Sequence, residues 1–183
     1  MLFRLFSIAF LRLMGWEIVG ENPGLKKYIF VMAPHTSQSD FIMGKMFSSI
    51  KRIYPRFLIK KESFKFPLGL ILKRLGGIPV DRRSNQHLAD QLVEQFRIHE
   101  ELIIVIAPEG TRKKVKRWRK GFYHIAKLAN VPYVLCFVDY KTKTMGIGPT
   151  LRPTGDYQAD FEIIKDFYRK MEGRNPGQFS VGD

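Results

Sequence analysis

His35 and Asp40 stand five positions apart in Ala33-Pro34-His35-Thr36-Ser37-Gln38-Ser39-Asp40, directly after the apolar run Tyr28-Ile29-Phe30-Val31-Met32. An imidazole and a carboxylate at that spacing can act as one unit. If a helix opens near Thr36 or Ser37, Asp40 falls in its first turn and reaches back to one ring nitrogen, which leaves the other free as a base. The competing account is a Thr or Ser helix cap beside an ordinary histidine. Later in the chain, Pro108-Glu109-Gly110-Thr111-Arg112 brings a carboxylate, a guanidinium and a glycine suited to a tight turn into one loop, and Asp81-Arg82 adds a second guanidinium. Together these residues supply a base, its orienting carboxylate and two guanidiniums suited to a phosphate.

They can cooperate only if the surrounding elements bring them together. Tyr28 to Met32 reads as a buried strand that Pro34 closes. Further strand signals lie at Pro55–Ile59, Ile78–Val80, Leu102–Ala107, Tyr133–Asp139 and Thr144–Ile147. The run Leu102–Ala107 is the most apolar of these, which suits a central strand covered on both faces. Helical spacing appears over Phe41–Ser49, over Ser63–Leu75 up to Gly76-Gly77, over 86–100, and again over Gly121–Ala129 and Phe161–Met171. The alternation predicts an α/β fold: a mostly parallel central sheet covered by helices on both faces, forming one domain over 21–172. Chemistry in such sheets collects where strands end, and each of the three residue sets follows a strand. Residues 173–183 are expected to be a loose tail.

Composition narrows the partners. The 183 residues are 45% hydrophobic, enough for a sizeable core, and carry 31 Lys and Arg against 17 Asp and Glu, a net charge of +14. Partners should therefore be anionic: lipid surfaces, nucleic acid or phosphorylated substrates. The lone Cys136 lies in an apolar run and forms no internal disulfide. His87, His99 and His124 lack metal-ligand spacing, so no metal is expected. Residues 1–20 are largely apolar, with Phe3, Phe6, Phe10, Leu13, Met14 and Trp16, but Arg4, Arg12 and Glu17 interrupt them. That pattern is neither a signal peptide nor a clean membrane span. It suits a helix lying in a bilayer interface with its arginines snorkelling to phosphates; the alternative is a core helix packed on the sheet. Arg112 to Lys120 holds seven basic residues around Val115 and Trp118, either a solvated face or a site for lipid headgroups or other phosphates. A basic nucleic-acid-binding module is the competing class. It leaves His35-x4-Asp40 and Glu109-Gly110-Thr111-Arg112 unexplained.

The chain resembles the glycerolipid acyltransferase family typified by lysophosphatidic acid (1-acyl-sn-glycerol-3-phosphate) acyltransferase. The resemblance rests on His35-Thr36-Ser37-Gln38-Ser39-Asp40, Gly76-Gly77-Ile78-Pro79-Val80-Asp81-Arg82, Glu109-Gly110-Thr111-Arg112 and Val131-Pro132-Tyr133-Val134, in that order over about residues 28 to 140. One departure is Pro34, where many members carry Asn. The resemblance implies transfer of a fatty acyl group from acyl-CoA or acyl-carrier-protein to the free hydroxyl of 1-acylglycerol-3-phosphate, giving phosphatidic acid. Another lyso-lipid, such as a lyso-aminolipid, is the alternative acceptor. It implies His35 as base with Asp40 as its orienter. Attack is expected to be direct, since no Ser or Cys stands in an evident nucleophile elbow. Arg82 and Arg112 are assigned to the acceptor phosphate, unless they merely pair with Asp81 or Glu109. Glu109 is expected to order the loop or meet a glycerol hydroxyl, Gly110 to offer its N–H to the oxyanion, and Thr111 to belong to the same substrate-binding loop. No cofactor beyond the thioester donor is implied. The setting implied is an anionic membrane surface, at the cytoplasmic face of the cell membrane, with the enzyme peripheral or monotopic.

Overall fold

The computed structural model describes residues 1–81 and 85–182, the side chains of 85–87 excepted. In chain order the elements are α1 (Leu2–Leu13), β1 (Glu17–Val19), β2 (Lys27–Met32), α2 (Ser39–Lys51), β3 (Arg56–Lys60), α3 (Leu68–Arg74) and β4 (Gly77–Val80). There follow α4 (Asn85–Ile98), β5 (Leu102–Ile106), α5 (Gly121–Leu128), β6 (Tyr133–Asp139), β7 (Thr144–Leu151) and α6 (Tyr157–Tyr168). The strands form one sheet in the order β1-β7-β6-β2-β5-β3-β4. Neighbours from β6 to β4 run parallel, whereas β7 is antiparallel to β6 and carries β1 parallel beside it.

The two-residue period of the strands divides the core. On β2, Tyr28 and Phe30 face the layer of α1 and α2, where they meet Leu11, Met43, Met46 and Phe47. Ile29 and Val31 face the other layer, with Leu92, Phe96, Phe122 and Ile164. On β6, Val134 and Cys136 join the first cluster while Tyr133 and Leu135 join the second. Each large side chain so buried contributes roughly 1.5–3 kcal/mol, and a register slip of one residue on β2 would turn both sets the wrong way. The helix-covered, mostly parallel sheet is the architecture expected from the alternation of elements.

Several boundaries differ from expectation for local reasons. Strand β1 was not foreseen, because three residues carry too little periodicity to register. The helix expected over Ser63–Leu75 divides into a 3-10 turn at Lys61–Ser63 and α3, separated by Phe66-Pro67. The last helix opens earlier, at Tyr157, because the Asp156 carboxylate accepts from the N–H groups of Gln158 and Ala159 at 3.0 and 3.2 Å and so caps it. α1 ends at Leu13, and only Ser7 and Leu11 of it are buried; Phe3, Phe6, Phe10 and Leu13 are exposed. The segment expected as a loose tail instead packs back on the molecule. Phe179 and Val181 lie against the core, and Trp118 Nε1 donates to the Ser180 carbonyl at 2.8 Å.

Candidate active site

β2 delivers the histidine. Past Met32 the chain turns through a cis Ala33–Pro34 peptide to His35, and α2 opens at Ser39 so that Asp40 lies in its first turn. Asp40 is only 1% exposed, yet its carboxylate is well satisfied. Oδ2 accepts from the N–H groups of Thr36 and Ser37 at 2.9 Å each and lies 3.2 Å from His35 Nδ1. Oδ1 accepts from the Tyr140 hydroxyl at 3.0 Å. Burial pushes the Asp40 pKa up, but the hydrogen bonds from His35, Ser37 and Tyr140 outweigh it and hold the carboxyl below its ordinary value. An ionised Asp40 assigns the ring proton to Nδ1 and leaves Nε2 as the acceptor.

Glu109 follows β5 and grips the same residue from the other side. It is 4% exposed, and both carboxyl oxygens lie on the His35 backbone N–H, at 3.2 and 3.0 Å. Burial, against the single His35 hydrogen bond and with repulsion from Asp40, pushes its pKa up to about 8. Of the two expected roles, ordering the loop is the one its contacts serve. Gly110 is at φ +65, which favours glycine, but its N–H donates to the Ala107 carbonyl at 3.1 Å. In this structure the turn takes up that donor. The Arg119 side chain occupies the space beside Gly110, with Nε 2.6 Å from where a Cβ would stand.

Thr111 and Arg112 are exposed at the rim of a cavity of about 1540 Å³ that His35, Asp40 and Arg119 also line. Arg112 forms no ion pair with a described residue, so the Glu109 pairing considered from sequence is not made. Arg82 lies outside the described residues. Its neighbour Asp81 exchanges backbone hydrogen bonds with the Gln91 side chain, both at 3.3 Å, which ties the end of β4 to α4. The inner wall of the cavity is apolar, with Phe30, Phe41, Phe47, Phe57 and Val105. Cys136 also lines it, but burial pushes its thiol pKa up, away from the reactive thiolate. Among the described residues no group of three or more His, Cys, Asp and Glu gathers as a metal site would.

Sequence reasoning missed Tyr140 and the residues after 172. The Tyr140 N–H donates to the Glu172 carbonyl, and the Glu172 N–H donates to Asp139 Oδ1, both at 2.9 Å. Asn175 then clasps Thr36, donating from its backbone N–H to Oγ1 at 3.2 Å and from Nδ2 to the carbonyl at 2.7 Å. Arg174 meets the Ser39 hydroxyl. Burial and the Asp40 carboxylate push the Tyr140 pKa up, so its hydroxyl stays a donor. The one available signal was position: Tyr140 directly follows the C-terminal end of β6.

A histidine whose Nδ1 is held by a buried carboxylate, at the polar end of a cavity with an apolar wall, has the arrangement general-base chemistry requires. The acyltransferase family model matches residues 17–138, two thirds of the chain, and the chain belongs to that family. The crystal structure of the 1-acyl-sn-glycerophosphate (LPA) acyltransferase PlsC from Thermotoga maritima has the same fold. Its TM-score is 0.64 at 18% identity, over 92% of this chain and 77% of that one. No curated protein matches the chain.

Proposed function

We propose that this acyltransferase moves a fatty acyl group from an acyl-CoA or acyl-carrier-protein thioester to the free hydroxyl of 1-acylglycerol-3-phosphate, giving phosphatidic acid for phospholipid synthesis. The observation that carries this reading is the His35–Asp40 pair, pinned at Nδ1 and open at Nε2. A thioester is already activated, so the reaction needs a base more than a nucleophile. Nε2 takes the hydroxyl proton as the oxygen attacks the thioester carbonyl. When the tetrahedral intermediate collapses, the C–S bond breaks and the imidazolium returns the proton to the departing thiolate. Ionised Asp40 stabilises the imidazolium between the two steps. The exposed guanidinium of Arg112, with Arg82, holds the acceptor phosphate, and Thr111 lies in the same loop. The apolar wall takes an acyl chain.

The enzyme would work peripherally, at the cytoplasmic face of the cell membrane. Among the described residues no helix is long and apolar enough to cross a membrane. The exposed apolar side of α1 and the net charge of +14 both favour an anionic lipid surface.

Mass spectrometry of products from a panel of lyso-lipids with both donor types tests the acceptor and the carrier. Phosphatidic acid is expected from lysophosphatidic acid; acylation of only a different lyso-lipid would move the assignment to that acceptor. His35→Ala should lower turnover by a factor on the order of 10² to 10⁴ with the fold intact, and near-normal turnover would remove His35 as the base. Arg112→Ala should raise KM for the phosphorylated acceptor by roughly tenfold or more and leave a phosphate-free analogue nearly unaffected. Equal losses on both acceptors would make the arginine structural.

A further inference from the structure

The segment Phe64-Lys65-Phe66-Pro67-Leu68-Gly69-Leu70-Ile71-Leu72 carries one charge, and a short helix so apolar ought to be buried. It is not. Phe66 is 87% exposed, Leu70 61%, Ile71 55% and Leu68 50%. Gly69 is the one buried residue of α3, its position closed by the Phe64 backbone just before the helix, Leu72 is half-buried, and the helix packs on β4. Around this apolar cap stand Lys60, Lys61, Lys65, Lys73 and Arg74, all exposed and none in an ion pair with a described residue. Glu62 is the one acid among them.

The position of α3 matters as much as its composition. β3, which leads into it, contributes Phe57, Leu58 and Ile59 to the wall of the cavity. α2 supports it from the side, since Lys45 Nζ donates to the Leu75 carbonyl at 3.2 Å. α2 also carries α1, through Arg4 Nε and the Ile50 carbonyl at 3.3 Å. Both apolar surfaces are therefore hydrogen-bonded to one helix, α2, whose first turn holds Asp40.

We propose that α3 and its flanking bases form a second bilayer-inserting element, separate from α1 and adjoining the cavity wall. Phe66, Leu70 and Ile71 enter the acyl layer, and the five cations lie at anionic headgroups. An apolar cap ringed by cations that pair with no acid among the described residues fits a surface that is apolar inside and negative at its rim. A symmetric contact between two copies fits it poorly, because it would bring the same five charges face to face. The proposal rests on the membrane setting given under Proposed function.

The test uses the full chain and vesicles of equimolar phosphatidylglycerol and phosphatidylcholine. Cys136 is the only native cysteine and is buried, so a Phe66→Cys variant can be labelled at one site with an environment-sensitive fluorophore. On vesicles the label should shift to the blue and be quenched by bromine-labelled acyl chains. A label that stays in water while the protein is vesicle-bound overturns the proposal. The double variant Phe66→Asp/Ile71→Asp should partition to vesicles on the order of tenfold more weakly at high salt, where the apolar term dominates. Its acyl transfer to detergent-dispersed acceptor should stay within about twofold of wild type, since neither residue lines the cavity. Unchanged partitioning, or loss of a dimer with partitioning intact, would overturn the insertion in favour of a protein contact. If the wild type acylates no lipid at all, the proposed function fails while the fluorophore still reports whether α3 inserts.

Discussion

Asp40 holds His35 by its ring and Glu109 holds it by its backbone N–H, from opposite sides of the same turn. Both carboxyls are buried, yet their surroundings drive them to opposite charge states. Asp40 receives the Thr36 and Ser37 amides, the Tyr140 hydroxyl and the His35 ring, which together outweigh its desolvation. Glu109 receives one N–H shared between its oxygens, and Asp40 repels it, so desolvation wins. Burial alone therefore says little about the charge of a carboxyl; the number of donors aimed at it decides. In the proposed mechanism one group serves the chemistry by staying ionised, whereas the other serves the fold best as the neutral acid.

The largest expected effect that would break this contrast is at Asp40. Asp40→Asn keeps the shape and, with its amide oxygen at the Oδ2 position, the two amide contacts, but removes the negative charge beside the ring, so turnover should fall by a factor on the order of 10² to 10⁴. A loss of less than about threefold would mean that the histidine needs no ionised partner. Glu109→Gln should behave differently, with turnover close to wild type because an amide oxygen can still accept the His35 N–H. Its signature is in stability against pH. The Glu109 pKa is raised in the folded state from an ordinary 4.5 to about 8, so wild type should lose stability as pH rises through that window, by an amount on the order of a few kcal/mol. Asp40, with a lowered pKa, has the opposite sign: its contribution is present above its unfolded pKa and is lost as pH falls toward strong acid. Chemical denaturation from pH 5 to 9 should show the downward slope in wild type and a flatter one in Glu109→Gln; parallel slopes would remove Glu109 as their source. The smallest effect is expected at Tyr140, which positions Asp40 without touching substrate. Tyr140→Phe should lower kcat by roughly tenfold or less and move the acid limb of the pH–rate profile upward, because Asp40 loses a donor. A fall in kcat with no shift of that limb would make Tyr140 a packing residue only.

The His35–Asp40 contact was legible from sequence because it is local: a strand-closing proline, a histidine and a carboxylate in the next first turn lie within a few residues. The sheet was legible because strands such as β2 and β6 are buried on both faces and read as unbroken apolar runs. Tyr140 was not, since it meets Asp40 across 100 positions and no periodicity marks a polar residue after a strand. Nor was the clasp of Asn175 on Thr36, because a glycine-rich stretch with few apolar residues reads as solvated chain until its partner is known. The turn hydrogen bond of the Gly110 N–H was hidden for a different reason. The sequence marks a glycine turn, but not which carbonyl takes its proton.

Gly110 has one further consequence. The space its missing Cβ leaves is filled by Arg119, so the glycine serves as a seat for a cation nine positions downstream as well as a bend in the backbone. An alanine at 110 would have to adopt an unfavourable φ and, in the same stroke, evict a positive charge from the cavity rim. Positions 110 and 119 are thus sterically coupled. In any lineage where 110 gains a side chain, 119 is expected to shrink or to lose its charge, and a lone change at either should be rarer than the pair.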